Sequence, residues 1–300
     1  MATIDGQFRV VRVEGQGCGY ITPANWDNMP GWARGKIHVL RFCRTEEEAQ
    51  AAQRDLPPEW NSMAIINHPV QLTQMLALEE DPQIDKCVAA LGVAEDGAPL
   101  YVRLPSSTVG NLLVVGGSGC GKTTLLHSIV LSLAALNASN RLVFVLVGDG
   151  LRWFDTLPHP TCMVKPTDAS SAFAGLVAQV KQYAPLQPRL VVVVDDLEGL
   201  GGMCSGLAEL ASHRGDGIHV IVAARSIGAA TELIASQHFP VCLAGRGADG
   251  LVVPGYNVAK IAGLQRPGEF VAFAEGRAMP FFAAQSGPRD MQAMEFRPNE

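Results

Sequence analysis

The chain has 300 residues, of which 48% are hydrophobic and 17% charged. That composition supplies core for one large domain plus a smaller one and excludes global disorder. The formal net charge of −6 excludes an overall basic footprint for nucleic acid, although a local basic stripe stays open.

The seven cysteines (Cys18, Cys43, Cys87, Cys120, Cys162, Cys204 and Cys242) are scattered and odd in number, with no C-x-x-C pair. This fits a reduced cytosolic interior better than a disulfide framework or a zinc site. The start, Met1-Ala2-Thr3-Ile4-Asp5, has no basic stretch leading into an apolar one, so no signal peptide is expected. No window reaches 18 consecutive apolar residues. The expectation is a cytoplasmic protein that meets a membrane only through a partner.

Residues 1–85 read as a small α+β region of unassigned role. Gln7 to Val13 and Lys36 to Phe42 alternate like half-exposed strands, and Thr45 stands as N-cap of a polar helix opening Glu46-Glu47-Glu48-Ala49. Gly15-Gln16-Gly17-Cys18-Gly19 reads as a turn, because no amphipathic helix follows it. An amphipathic segment lies near Val70 to Leu78, and Asp81-Pro82 marks a boundary.

From there the pattern alternates strands and helices, the signature of a parallel α/β sheet. Strands are expected at Leu112–Val115, Leu142–Val147, Leu190–Val194, His219–Ala223 and Val241–Ala244. Several are continuous apolar runs, as strands covered on both faces require. Glu269 to Phe273 and Ala278 to Phe282, split by Glu275-Gly276, read as a hairpin. The domain division is 1–85, 86–288 and a tail at 289–300.

Residues Gly116-Gly117-Ser118-Gly119-Cys120-Gly121-Lys122-Thr123 match the phosphate-binding pattern G-x-x-x-x-G-K-[ST], and Thr124 follows. The chemistry needs those types. Glycines let backbone N–H groups turn inward around a phosphate, Lys122 reaches the β- and γ-phosphates, and Thr123 offers a hydroxyl to Mg²⁺. A strand precedes the loop, and a helix from Lys122 to Leu136 follows, with Leu125, Ile129, Leu133 and Leu136 at helical spacing. Its N-terminus aims free N–H groups at the phosphate. ATP with Mg²⁺ is the expected ligand.

The four-valine strand Val191–Val194 ends in Asp195-Asp196. A strand ending in Asp downstream of such a loop is the Walker B pattern, in which Asp195 holds Mg²⁺ opposite Thr123. Asp196 stands where many motor ATPases carry a water-activating Glu. It is one methylene shorter, and a displacement near 1 Å can cost ~100-fold in rate. Glu198 is the alternative carboxylate.

Beyond these motifs the chain resembles the FtsK/SpoIIIE family of hexameric motor ATPases. Ala90 to Leu100 looks like the family's opening hairpin, Asn111 to Thr124 its phosphate loop, Leu157-Pro158-His159 its I-P-H, and Asp195-Asp196-Leu197 its D-E-L. Arg214 to Ala223, His238-Phe239-Pro240 and Arg266 to Phe270 follow in the family's order, so the resemblance covers residues 86 to about 283. It implies a RecA-like sheet, self-association into a ring, and ATP-driven movement of a polymer, with DNA placed ahead of protein. It also implies an arginine reaching a neighbour's nucleotide, for which Arg214 is the first candidate and Arg246 the second. The family's A-T-Q-R-P reads Ala223-Ala224-Arg225-Ser226-Ile227 here, so Arg225 takes the place of the phosphate-sensing Gln. The A-R-S form is similar to the type VII secretion branch. The Asp196 and Arg225 departures keep open a second reading, a nucleotide-binding assembly module that does not hydrolyse. An ABC-type ATPase is disfavoured because no LSGGQ-like stretch precedes Asp195.

Overall fold

The computed structural model describes residues 8–13, 17–22, 37–54, 71–76, 87–94, 99–104, 110–201, 205–248, 250–286, 291 and 294. The boundary at Asp81-Pro82, part of the loop after Walker B (Gly202-Met203) and nearly all of the 289–300 tail lie outside these residues. The chain divides into two compact units, Met1–His68 and Pro69–Glu300.

In the first unit, β1 (Phe8–Val13) lies between β2 (Gly17–Ile21) and β3 (Ile37–Cys43), antiparallel to both. Gly17-Cys18-Gly19 belongs to β2 rather than to a turn, paired with Val13, Arg12 and Val11, while Gly15-Gln16 lies outside the described residues. The helix α1 (Glu46–Arg54) covers Val10 and Cys43 with Ala49 and Ala52. Its start is a reciprocal cap. The Glu48 N–H donates to the Thr45 hydroxyl at 3.2 Å, and the Glu48 carboxylate accepts from the Arg44 N–H at 2.9 Å.

The second unit opens with the short helix α2 (Leu72–Leu76) and is organised by one sheet of ten strands. Its strands are β4 (Val88–Ala94), β5 (Pro99–Arg103), β6 (Leu112–Val115), β7 (Leu142–Val147), β8 (Thr161–Val164), β9 (Arg189–Val194), β10 (Ile218–Ala224), β11 (Val241–Gly245), β12 (Glu269–Ala274) and β13 (Arg277–Ala283). They lie in the order β5-β4-β13-β12-β11-β6-β10-β9-β7-β8. The run from β11 to β8 is parallel, and the run from β5 to β11 is antiparallel. The sequence reading separates a parallel core from an end hairpin. The structure joins both, with β4 and β5, into one sheet. The edge strand β8 has no sequence signal of its own, because Thr161–Val164 is short and only partly buried.

Among the described residues the longer helices of this unit are α3 (Lys122–Leu136), α4 (Ala169–Tyr183), α5 (Ser205–Ser212) and α6 (Ile227–Ala235). Helices α4 to α6 cover Val192, Val194, Val220 and Val222 through Phe173, Leu207, Leu210 and Leu233. Helix α3 departs from the amphipathic expectation, for Leu125, Leu126, Ile129, Val130, Leu131 and Leu133 are all fully buried. A helix apolar all round must be covered all round, and here β4, β10, β13 and α2 pack against it. Its serines are satisfied by backbone groups of β4 and of the residue after β13. The Ala90 N–H donates to Ser132 Oγ at 2.9 Å, and Ser128 Oγ donates to the Ala284 carbonyl at 2.6 Å. Truncating one of its buried leucines to Ala would cost roughly 2–5 kcal/mol.

Register decides where the chemistry falls. Val115 pairs with Ala224, Val222 with Val194, and Val194 with Val147. Residues 116, 148, 195 and 225 therefore leave the sheet at the same carboxyl-end rim, where open parallel sheets hold their ligands.

Candidate nucleotide site

The loop between β6 and α3 turns through Gly119 at φ +70° and Gly121 at φ +103°, a region that favours glycine. A Cβ on Gly116 would lie 2.6 Å from Cys120 Sγ, so the loop closes only with glycine there. The Gly117 N–H donates to the Arg246 carbonyl at 2.8 Å, and the Gly268 N–H to the Cys120 carbonyl at 2.8 Å, bracing the loop from two sides. Ser118 and Gly119 stay exposed at its tip, and Thr124 is half-buried on the first turn of the helix.

Lys122 is 8% exposed, and its ammonium donates to the Gly116 carbonyl at 2.7 Å and the Gly117 carbonyl at 2.9 Å. The charge is thus held over the mouth of its own loop. One residue on, the Thr123 hydroxyl donates to the Asp195 carboxylate, 3.0 Å from Oδ2 and 3.1 Å from Oδ1. Burial pushes the Asp195 carboxyl above its usual value, while the Thr123 hydrogen bond pulls it down. Thr123 and Asp195 present hard oxygen donors, the kind that Mg²⁺ takes with phosphate and water completing its shell. The glycine cradle, Lys122 and this pair fit a magnesium-bound nucleoside triphosphate.

Two glycines not singled out from sequence complete the floor. Gly148 follows β7 at φ +121°, where a Cβ would lie 2.6 Å from the Asp195 carbonyl oxygen. A Cβ on Gly150 would collide with Asp195 Oδ2 and crowd Thr123. The pattern Gly148-Asp149-Gly150 directly after a buried strand is the signal that could have marked them. His127, one turn along α3 from Thr123, places Nε2 2.7 Å from the Gly150 carbonyl and 3.1 Å from the Trp153 indole nitrogen, so by its tautomer it either donates to the carbonyl or accepts from the indole N–H. Trp153 stacks on Phe154, with ring centroids 4.1 Å apart. Burial holds His127 below its usual pKa, against the Gly150 bond and the Asp195 charge.

Asp196 and Arg225 are bound to each other. Arg225 grips Asp196 with both arms, Nε to Oδ1 at 2.9 Å and the terminal nitrogen to Oδ2 at 2.6 Å. The side chains remain 50% and 39% exposed, so the pair contributes at most about 1 kcal/mol. Asp196 sits at φ +79°, in the left-handed region that Asp tolerates better than most residues. Glu198 is also engaged, accepting the N–H groups of Arg225 and Ser226. Burial alone would raise its pKa, and those bonds outweigh it, leaving the carboxyl below the usual range.

The candidate arginines for a neighbour's site lie at opposite rims. Arg214 precedes β10, beside Gly110, and β10 separates it from the phosphate loop by about 20 Å of strand. It is exposed. Arg246 stands against its own loop, its carbonyl bonded to Gly117 and its guanidinium to the Gln265 carbonyl at 3.2 Å.

Residues 78–186 match the sequence model of the FtsK/SpoIIIE family. A curated relative, the ESX secretion system protein EccC of Thermomonospora curvata, is 31% identical over 106 residues. The match spans 34% of this chain and 8% of that relative's length. Among solved structures, Thermomonospora curvata EccC (ATPases 2 and 3) in complex with a signal sequence peptide superposes with a TM-score of 0.60 at 18% identity, covering 89% of this chain and 56% of that one. The pCW3 conjugation coupling protein TcpA, in a monomer form with ATPγS, superposes with a TM-score of 0.59 at 15% identity, over 89% of this chain and 80% of that one. These likenesses establish the fold as that of P-loop NTPases.

Proposed function

We propose that this chain, whose residues 78–186 form an FtsK/SpoIIIE-family domain, binds ATP with Mg²⁺ on the Gly116–Thr124 loop and hydrolyses it as one subunit of a ring that moves a polymer. The observation that carries the reading is the meeting of Thr123 and Asp195 at 3.0 Å beside the buried Lys122 ammonium. Lys122 binds the phosphates, Thr123 and Asp195 hold the cation, and Gly148 and Gly150 keep side chains out of that space. Bound Mg²⁺ supplies neutralisation of charge on the β- and γ-phosphates. Arg214, exposed at the far rim, is suited to reach a neighbouring subunit's phosphate rather than its own.

Polypeptide is placed ahead of DNA as the polymer. Support comes from the curated relative, which is by name a secretion system protein, and from the net charge of −6. No helix among the described residues is long and apolar enough to cross a membrane. In this reading Met1–His68 is a unit of unassigned role, and the nucleotide domain includes α2, which packs against α3.

Steady-state ATP hydrolysis, alone and with double-stranded DNA, beside a Lys122→Ala control, tests the reading. Turnover abolished in the control and indifferent to DNA supports it. Strong stimulation by DNA would reverse the order of the two polymers. Turnover that survives in the control would remove the site itself.

A second reading has a specific observation behind it. Asp196 is held by Arg225 and Glu198 by backbone N–H groups, so neither carboxylate is free to activate water. A chain locked in this state binds ATP without turnover and serves as an assembly module.

A further inference from the structure

We propose that the Asp196–Arg225 pair is an autoinhibitory latch that holds Asp196 back from the attacking water. This deepens the proposed function, since it rests on ATP being hydrolysed at this site. The latch joins the ends of two neighbouring strands. Asp196 follows β9, Arg225 follows β10, and β9 and β10 pair in parallel up to Val194 and Val222. The two residues are 29 apart in sequence, so the contact exists only in the fold.

The geometry is specific in three respects. The grip uses two parallel hydrogen bonds at 2.9 and 2.6 Å, the arrangement that a planar guanidinium makes with a carboxylate and an amine or amide cannot. Asp196 is turned into the left-handed region at φ +79° where it meets that fork. The backbone of the gripping residue is itself fixed, because the Glu198 carboxylate accepts the Arg225 N–H at 2.8 Å. A Gln at position 225 could offer only one amide to Asp196, and a Glu at position 196 would extend one methylene further.

The consequence is a resting state in which the carboxylate suited to polarise the attacking water is occupied by a cation of its own chain. Lys122, Thr123 and Asp195 take no part in the grip, so ATP binding does not require it to open, whereas proton acceptance by Asp196 does. Both side chains are well exposed, which makes opening cheap. Exposed pairs of this kind shift an equilibrium by about fivefold at most. A modest pull on either strand end, from a neighbouring subunit or from the moving polymer, is then enough to release Asp196.

The test is a double-mutant cycle on the full chain, reading kcat, KM for ATP and direct ATP binding, with Lys122→Ala alongside. Arg225→Gln is expected to raise the basal kcat about fivefold with KM unchanged. Arg225→Lys, which keeps a charge but not the fork, falls between. Asp196→Asn loses turnover by at least 100-fold, and adding Arg225→Gln to it restores nothing. A fall in kcat in Arg225→Gln overturns the latch, since Arg225 would then serve the reaction. So does an equal rise in the Asp196→Asn background, or no change in kcat. In all three cases Lys122-dependent ATP binding by the parent chain leaves the proposed function standing. Absence of that binding removes both.

Discussion

The Thr123 hydroxyl and the Asp195 carboxylate lie 3.0 Å apart although 72 residues separate them in sequence. Their meeting follows from the parallel order β6-β10-β9, which brings the end of the valine strand to the rim where the phosphate loop emerges. The sheet itself sets the distance, and α3, buried all round, holds Thr123 rigidly at its first turn.

Lys122 is the charge over the loop mouth, so its loss acts on phosphate binding first. Charge-assisted hydrogen bonds contribute about 1.5–3 kcal/mol each. Lys122→Ala should weaken ATP affinity by at least ~10-fold, measured by equilibrium titration with a fluorescent ATP analogue. Its far-ultraviolet circular dichroism should match the parent.

Asp195 costs the ligand-free protein stability, because burial disfavours its charge. Its folded pKa lies above the unfolded one, so the stabilising effect of protonation is complete below the unfolded value and is lost as pH rises through the folded value. At neutral pH Asp195→Asn is therefore expected to raise the melting temperature of the ligand-free chain, read by thermal unfolding. A lowered melting temperature would count against burial as the dominant influence on this carboxylate.

Gly150 has no room for a side chain beside Asp195 and Thr123. Gly150→Ala should displace the carboxylate and weaken Mg²⁺-dependent ATP binding by about tenfold or more, because catalytic and binding groups tolerate only about 0.5 Å of error. Gly175, on helix α4, has open space where a Cβ would stand. Gly175→Ala is the matched control and should bind normally.

His219 is 2% exposed, and burial lowers its pKa to about 4. A histidine with a depressed folded pKa contributes stability above its unfolded value of about 6.5, and that stability is lost as pH falls towards 4. His127 and His159 are shifted in the same direction by burial. Urea melts at pH 7 and pH 5 should show lower stability at pH 5, with the difference reduced in His219→Gln. An unchanged pH dependence in that variant would contradict the assignment.

Much of this is legible in the sequence, for identifiable reasons. The bounds of α3 follow from Gly121, which must end the loop, and from the apolar residues at helical spacing behind Lys122 (Leu125, Ile129, Leu133 and Leu136). The phosphate loop is local chemistry, so eight consecutive residues display it. Strands β6 and β7 announce themselves as buried apolar runs. The full coverage of α3 was not legible, because the partners of Ser128 and Ser132, the Ala284 carbonyl and the Ala90 N–H, come from distant parts of the chain. The roles of Gly148 and Gly150 depend on Asp195, brought near by the pairing of β7 with β9. Asp196 and Arg225 each look like a defect when read alone, and only the pairing of β9 with β10 reveals one feature.

The most direct test of the site is ATP affinity measured in Mg²⁺ and in EDTA, for the parent chain and for Asp195→Asn. The expected result is binding at least ~10-fold tighter with Mg²⁺ in the parent, and no such difference in the variant. Equal affinity with and without Mg²⁺ in the parent chain would contradict the account, because Thr123 and Asp195 would then hold no cation.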